Sequence, residues 1–268
     1  MTLTDAFFIR EREVISLVGA GGKTSLMFAL GNELSTKRKG TLLTTTTKIW
    51  EPAPSPSFAL FLSEQISEMK KWVLKNLGQY PYLVIARKKM DDGKLQGILP
   101  EWGEELLSLA DVSSIIVEAD GAAGRSLKAP REGEPVLPNN TTLLVPVVGI
   151  DVLGCPMDEQ YVFRSEIAAR ILNAALGTTV TEEMITRLLA EIIKNRPEKA
   201  RVIPFINKVD VPGGLEKARR LAAYLLKTGG LTFKRVILGQ AQYSPVVKEM
   251  IPNGSMSIDF QRTMRENL

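Results

Sequence analysis

A lysine and a threonine follow a short glycine-rich segment near the N-terminus of this 268-residue chain. The segment, Gly19-Ala20-Gly21-Gly22-Lys23-Thr24, lies between an apolar run and a stretch with helical spacing of apolar residues. Glycines let the backbone approach an anion, and the amides of a helix N-terminus point towards it. The lysine of such a loop reaches the β- and γ-phosphates of a nucleoside triphosphate, and the hydroxyl ligates Mg²⁺. We expect Lys23 to face solvent and to be catalytic, and the nucleotide-binding residues to be Gly19, Ala20, Gly21, Gly22, Lys23, Thr24 and Ser25.

Two other interpretations of this segment stay open. The common pattern GxxxxGK[ST] requires a glycine where Leu17 stands, so this loop is shorter and resembles the GTNGKT loops of Mur and folylpolyglutamate ligases. The run Gly19-Ala20-Gly21 also begins the GxGxxG pattern of a dinucleotide turn. However, Thr24 stands at the third glycine position, and no acidic residue follows the second predicted strand. The added Gly-Lys-Thr favours a phosphate loop.

Two carboxylates end a strongly apolar strand in the middle of the chain. Glu118 and Asp120 are two residues apart, so both point to one face at the carboxyl end of the strand. Two carboxylates beside a triphosphate require a cation, and Mg²⁺ takes one or two of them. We expect Glu118 and Asp120 to be catalytic, and Thr24, Glu118 and Asp120 to be the metal-side residues. The alternative is a buried turn at Asp120-Gly121.

Polar residues at two further loops lie where a phosphate or a second substrate would bind. Thr44–Lys48 follows the second predicted strand, at the sheet edge where ligands of such folds bind. Threonines are also favoured at strand ends by packing. For Arg125 and Lys128, solvated surface charge is the preferred interpretation, and a contact with an anionic ligand is the alternative. The candidate phosphate or second-substrate contacts are Thr46, Thr47, Lys48, Arg125 and Lys128.

A strand near residue 205 ends in Asn207, Lys208 and Asp210, the arrangement by which GTPases recognise guanine. The carboxylate of Asp210 would accept hydrogen bonds from the ring N1–H and the exocyclic amine, which adenine lacks. Asn207 would bond the other edge of the base, and the methylene groups of Lys208 would cover the ring. The alternative is a simple turn before the next helix. The sequence therefore predicts Mg²⁺ with GTP, or else ATP, as the ligand.

Composition limits the chemistry. The chain has no histidine and a single cysteine, Cys155, which excludes Ser-His and Cys-His nucleophiles, an internal disulfide and multi-thiolate zinc sites. We expect Cys155 to be a buried or incidental thiol; the alternative is a thiol that handles a sulfur or selenium species. The net charge of +4 comes without clustered basic runs, so we expect no nucleic-acid partner. No window is apolar enough for a membrane span, and we expect a cytoplasmic protein.

Apolar runs alternate with amphipathic stretches, as in parallel strands joined by crossover helices. We expect one α/β domain over 1–268, a doubly wound, mostly parallel sheet of the P-loop NTPase type, with a helical insertion at about 151–195. Residues 87–98 are expected to form a hairpin-like excursion. The predicted helices follow Lys23 and span 64–77, 100–110, 164–176, 181–193 and 215–226. The predicted strands span 14–18, 41–45, 58–62, 82–86, 114–119, 143–148, 202–206 and 236–238.

The order GAGGKT, TTTTK, VEADG and NKVD resembles the GTPases that insert nickel into hydrogenase and urease, and the chaperone of methylmalonyl-CoA mutase. The segments GAGGKTSLMFAL, LLTTTTKIW, IIVEADGAAGRSLKAP, VVGIDVLG and INKVD together are similar to the YqeC-type selenium cofactor biosynthesis family. That resemblance implies a role in maturing a selenium-dependent molybdenum hydroxylase, with the hydroxylase or its cofactor as partner. Metal carriage through His and Cys sites, as in the nickel proteins, is not supported here.

Three classes of function remain open from the sequence. The first is a GTP- or ATP-hydrolysing accessory protein or switch. The second is an ATP-dependent ligase or kinase that acts on a small substrate in the helical region. The third is a nonhydrolysing module that recognises the hydroxylase or its cofactor.

Overall fold

A computed structural model of the protein describes residues 1–228, 231 and 233–254. The helices are α1 (Leu3–Phe7), α2 (Lys23–Lys37), α3 (Ile66–Asn76), α4 (Trp102–Leu107), α5 (Ser165–Leu172), α6 (Glu182–Ile193) and α7 (Gly214–Lys227), with a 3-10 turn at Ile150–Val152. The strands are β1 (Glu13–Gly19), β2 (Thr41–Thr45), β3 (Lys48–Trp50), β4 (Phe58–Leu62), β5 (Tyr82–Ala86), β6 (Lys88–Lys89), β7 (Lys94–Gln96), β8 (Ser114–Glu118), β9 (Leu127–Lys128), β10 (Leu143–Gly149), β11 (Val162–Phe163), β12 (Arg201–Val202), β13 (Phe205–Asn207), β14 (Arg235–Gly239) and β15 (Val247–Pro252).

The central sheet has ten strands in the order β15-β14-β13-β10-β1-β8-β2-β5-β4, and β12 also pairs with β10. All pairs are parallel except β14 with β15, which is antiparallel. This confirms the predicted α/β class with a mostly parallel sheet. The chain order changes direction around β1, so the carboxyl ends of β1, β8 and β10 meet at one edge, where such folds bind ligands.

Alternate residues of each strand pack against helices on opposite faces of the sheet. On β1, Val14 and Val18 belong to the apolar cluster under α3 to α7, whereas Ile15 and Leu17 belong to the cluster under α1 and α2. The same alternation holds on β8, where Ile116 packs on the α2 side. A strand buried on both faces explains the continuous apolar runs in the sequence.

The structure differs from the sequence prediction at two strands and agrees with it at a hairpin. The strand predicted at 202–206 is interrupted, because Pro204 has no N–H for the ladder, and β12 and β13 are separate. The edge strand β15 was missed, since its polar residues hide the period-two pattern. The excursion at 87–98 is confirmed as a hairpin: β6 pairs with β7 antiparallel, and β7 also pairs with β3.

The predicted helical insertion corresponds to α5 and α6, which follow β10 and precede β12. Helix α6 begins at a cap in which the Thr181 hydroxyl accepts from the Met184 amide. It packs against α5, α7 and β10. In the described part of the chain, no helix combines the length and apolar character needed to cross a membrane.

Candidate nucleotide-binding site

The glycine-rich loop joins β1 to α2 and packs against neighbouring backbone. Gly21 has φ +84°, and a Cβ there would lie 2.3 Å from the backbone nitrogen of Gly149, so only glycine fits without moving the sheet. The Ala20 amide donates to the Val147 carbonyl at 2.9 Å, and the Gly21 amide donates to the Arg125 carbonyl at 2.8 Å. These bonds fix the first half of the loop on β10 and on the segment after β8.

The second half of the loop presents amides without partners. The N–H groups of residues 22–25 have no hydrogen-bond acceptor within the described ranges, because they precede or form the first turn of α2. Partial positive charge at a helix N-terminus favours an anion at this position. The chain thus offers four adjacent donors next to Lys23 and Thr24.

Lys23 does not face solvent, so that expectation is wrong. Its side chain is 3% exposed and its Nζ lies 3.1 Å from Asp120 Oδ1 and 3.9 Å from Glu118 Oε1. The ammonium also donates to the Gly19 carbonyl at 2.5 Å. Even-numbered residues of β8 point to the α2 side of the sheet, which brings both carboxylates beneath the first turn of α2. The ammonium therefore compensates two buried negative charges.

Glu118 faces the threonine of the loop. The Thr24 hydroxyl donates to Glu118 Oε2 at 2.7 Å. Burial raises the pKa of Glu118, and the nearby Asp120 adds to the rise, whereas Lys23 and the Thr24 hydroxyl oppose it. The effect of burial on the pKa of Glu118 therefore exceeds that of the ammonium and the hydroxyl beside it.

Asp120 holds the loop and a second lysine. Its Oδ2 accepts from the Gly19 amide at 2.9 Å and lies 3.1 Å from Lys128 Nζ. Its Oδ1 is buried and makes no hydrogen bond within the described ranges; Lys23 lies nearby, but outside hydrogen-bond geometry. Asp120 therefore keeps one oxygen with unused acceptor capacity.

Lys128 is completely buried, so its interpretation as solvated surface charge is wrong. Its ammonium donates to the Gly121 carbonyl at 2.8 Å and to Glu134 Oε2 at 2.9 Å. Glu134 also receives two hydrogen bonds from the Arg164 guanidinium, at 2.6 and 2.9 Å. Burial by itself raises the pKa of Glu134, but the hydrogen bonds from Arg164 and Lys128 outweigh it and lower the pKa to about 2.

The other candidate phosphate contacts occupy different environments. The Thr46 amide donates to the Glu118 carbonyl at 3.2 Å, and its hydroxyl donates to the Val136 carbonyl at 2.5 Å. Thr47 is half-buried, and Lys48 is exposed at the start of β3. Arg125 is half-buried and donates to the carbonyls of Glu159 and Ala123. The sheet edge brings Thr46 beside the site, and the contacts of all four with phosphate stay predictions.

The predicted base-recognition residues lie beside the loop. Asn207 Nδ2 donates to the Gly21 carbonyl at 2.7 Å, and its Oδ1 accepts from the Ala241 amide at 2.8 Å. Lys208 adopts a left-handed conformation with φ +63°, and its ammonium donates to Ser126 Oγ at 2.7 Å and to Asp151 Oδ2 at 2.8 Å. The Asn207 bond joins the end of β13 to the loop, and the Lys208 bonds join it to the segment after β10 and to Ser126, just before β9.

Asp210 is exposed and lines a cavity of about 280 Å³ that opens beside the loop. Gly22, Ser25 and Asn207 line the same cavity, together with Gln240 and Tyr243 from the segment after β14. A cavity that touches both the loop and Asp210 has room for a base or sugar next to the phosphates.

Several residues of the site were missed by sequence reasoning. Asp151, Gln240 and Ala241 follow the ends of β10 and β14, and the rule that parallel strands end at one edge was enough to find them. Glu134 and Arg164 come from a loop and a helix start, and no sequence pattern indicates that they meet. Cys155 is half-buried, its Sγ lies 3.2 Å from the Asp151 carbonyl, and burial raises its pKa, so the thiolate is disfavoured.

The donor set fits a magnesium ion that is completed by other ligands. No group of three or more acidic or cysteine side chains in the described part of the chain is arranged to hold a metal alone. Mg²⁺ typically takes one or two carboxylates and fills the remaining positions with water and phosphate oxygens. Thr24 and Glu118 would supply such oxygens, and the Oδ1 atom of Asp120 would accept from a water molecule.

Comparison with known proteins places the chain in a family. The model of the YqeC protein family matches residues 15–166. A protein of Escherichia coli (strain K12), named "Uncharacterized protein YqeC", is 30% identical over 206 residues, which cover 73% of this chain and 75% of that protein. The chain belongs to the YqeC family. The matched residues of this YqeC-family chain include the loop, both carboxylates, Lys128, Glu134 and Arg164, and end before Asn207.

The buried position of Lys23 predicts a stability cost for its removal. Lys23→Met introduces an uncharged side chain of similar length and leaves Glu118 and Asp120 with less compensating charge. We expect the free energy of unfolding to fall by about 1–3 kcal/mol, measured by urea denaturation. Lys48→Met, at an exposed lysine, is the matched control. Adding Asp120→Asn to Lys23→Met should recover part of the loss; equal stability of Lys23→Met and Lys48→Met would contradict the buried pairing.

The lowered pKa of Glu134 predicts a pH-dependent contribution to stability. Its folded-state pKa of about 2 lies below the ordinary value of 4.5, so ionised Glu134 stabilises the fold fully above pH 4.5. That contribution is lost as the pH falls from 4.5 towards about 2. The difference in unfolding free energy between the parent and Glu134→Gln should therefore shrink over this range. Glu132→Gln, at an exposed neighbour, should show no such trend. If the stability difference between the parent and Glu134→Gln were independent of pH, it would contradict the pairing of ionised Glu134 with Lys128 and Arg164.

Proposed function

We propose that this protein binds a nucleoside triphosphate with Mg²⁺ at residues 19–25 and hydrolyses it, with guanine as the preferred base. The observation that carries the proposal is the position of Lys23. Its ammonium lies within ion-pair distance of two buried carboxylates, and the amides of residues 22–25 in the same loop have no acceptor within the described ranges. A purely structural turn does not need a buried lysine, two carboxylates and free helix-terminal donors at one point.

The roles follow from the contacts. Phosphate oxygens would accept from the amides of residues 22–25, and Lys23 would exchange part of its contact with Asp120 for the β- and γ-phosphates. Mg²⁺, when bound, would neutralise charge on the phosphates. Thr24 and Glu118, already joined by a hydrogen bond, are proposed as its side-chain partners.

Asp120 has a different proposed role. Its Oδ2 holds the Gly19 amide and Lys128, which fixes the carboxylate in place. The free acceptor capacity of Oδ1 is suited to orienting a water molecule for attack on the γ-phosphate. Neither step requires histidine, which the chain lacks.

Guanine is proposed from the contacts of the base-recognition segment. Asn207 is bonded to the loop carbonyl of Gly21 and to the Ala241 amide, so the segment is held at a fixed distance from the phosphate site. Asp210 lines the adjoining cavity and has no ion pair within the described ranges. Its carboxylate is therefore available to the two donors that guanine presents and adenine does not.

The cellular role is proposed from the family resemblance. The YqeC-type segments imply an accessory protein for selenium-dependent molybdenum hydroxylases, and the hydroxylase or its cofactor is the proposed partner. Calorimetric titration with GTP, ATP and NADPH, each with Mg²⁺, tests the nucleotide. Phosphate release with and without the hydroxylase tests the role: slow turnover without a partner supports a GTPase, whereas turnover that requires a small substrate supports a ligase or kinase.

The contacts of the two carboxylates predict different metal dependences. Glu118→Gln should weaken binding of GTP with Mg²⁺ more than binding without it, because Glu118 is the partner of Thr24. Asp120→Asn should weaken both to a similar extent, because it disturbs Lys23 and the Gly19 amide. Titrations with and without Mg²⁺ measure both effects. If Asp120→Asn weakened Mg²⁺-dependent binding more than Mg²⁺-free binding, Asp120 would be the metal-side carboxylate instead of Glu118.

The base assignment predicts an exchange of nucleotide preference. Asp210→Asn replaces a double acceptor by an amide, which mismatches guanine and costs about 1–3 kcal/mol, or about 5- to 150-fold in affinity. Xanthine carries a carbonyl in place of the exocyclic amine, and the new amide can donate to it. We expect the variant to lose GTP affinity and gain XTP affinity, and Asp111→Asn, at an exposed aspartate before β8, to change neither. A parent that prefers ATP would refute guanine recognition.

A further inference from the structure

A second cavity lies at the opposite edge of the sheet. It has a volume of about 520 Å³ and is lined by residues at the starts of β12 and β14, the segment after α6 and the segment after α1. The phosphate loop lies at the other end of β1, a strand of seven residues, so the two sites are about 20 Å apart. The cavity is therefore separate from the proposed nucleotide site, and large enough for a nucleotide-sized ligand.

The lining of this cavity is strongly basic. Its cationic side chains are Arg10, Arg196, Arg201, Lys234 and Arg235, against the single carboxylate of Glu198. Arg201 is already paired with the buried Glu13. For the other four cations, the lining contains one carboxylate, that of the exposed Glu198. Positive charge is therefore concentrated at this cavity, because the chain as a whole has a net charge of only +4.

The guanidinium of Arg235 has hydrogen-bond donors that are not used within the described ranges. Its Nε and Nη1 atoms are buried and make no hydrogen bonds within the described ranges, and the same holds for Nε of Arg196. The group stacks on the Phe8 ring, 3.5 Å from its centroid. Burial and the nearby Arg201 lower the pKa of Arg235, so its environment disfavours the charge. A buried donor without an acceptor is costly, and an anionic ligand supplies both acceptors and charge.

We propose that this cavity binds a phosphorylated small molecule, with Arg235 and Arg196 donating to phosphate oxygens and Lys234 adding charge at the rim. Arginine presents paired donors that match phosphate oxygens, and several arginines around one cavity select for more than one negative charge. The site does not depend on the phosphate loop, and the proposal stands whether or not residues 19–25 bind a nucleotide.

Lysine labelling tests the site locally. The protein is treated with an acetylating reagent at 150 mM salt, with and without pyrophosphate, and acetylation of each lysine is followed by mass spectrometry. Pyrophosphate should lower acetylation of the exposed Lys234 several-fold and leave Lys70 unaffected, because Lys70 lies on α3 beside β4 and β5, at the far side of the sheet. Binding at the phosphate loop does not shield Lys234, so the two sites are distinguished.

Two variants test the arginines. Arg235→Met should raise the pyrophosphate concentration that half-protects Lys234 by about 10- to 100-fold. Arg10→Gln, at an exposed residue of the cavity, should raise it by a smaller factor. An unprotected Lys234, or protection unchanged in both variants, overturns the proposal. Protection by citrate but not by pyrophosphate overturns the phosphate class.

Discussion

The contact between Lys23 and two buried carboxylates is the interaction on which the rest of the site depends. Glu118 and Asp120 lie at the carboxyl end of β8 beneath α2, where both are buried. Two like charges in such a place are tolerated only with compensating cations and hydrogen-bond donors. Lys23 compensates both carboxylates from above, Lys128 compensates Asp120 from the side, and Thr24 satisfies Glu118.

A series of ion pairs with alternating charge extends outwards from this contact. Asp120 pairs with Lys128, Lys128 pairs with Glu134, and Glu134 pairs with Arg164 at the start of α5. Each partner comes from a different part of the chain, so the alternation ties the loop after β8 and the helical segment to the phosphate loop. The low pKa of Glu134 reflects the same arrangement, because two cations outweigh the cost of its burial.

The two edges of the sheet differ in how their charges are satisfied. In the described part of the chain, the buried lysines at the carboxyl edge, Lys23 and Lys128, each have a carboxylate within ion-pair distance, and the groups without partners there include backbone amides and Asp120 Oδ1. At the amino edge, the groups without partners include guanidinium nitrogens of Arg196 and Arg235 at an open cavity. The first arrangement holds its lysines in place without a ligand, whereas the second leaves donors that an external anion would satisfy.

The sequence by itself determined the elements and the edge at which they meet. Apolar runs buried on both faces predicted the parallel strands, and the glycines, Lys23 and Thr24 indicated the loop, because these signals are local in the chain. Tertiary structure alone decided which charges are buried. Lys23 and Lys128 were expected at the surface. The sequence around each lysine does not indicate that it is buried and pairs with Asp120, which lies 97 residues from Lys23 and 8 residues from Lys128. Glu134 and Arg164, and the basic cavity built from segments at both ends of the chain, were likewise hidden, because charge pairing across a sheet depends on strand order and leaves no pattern in the sequence.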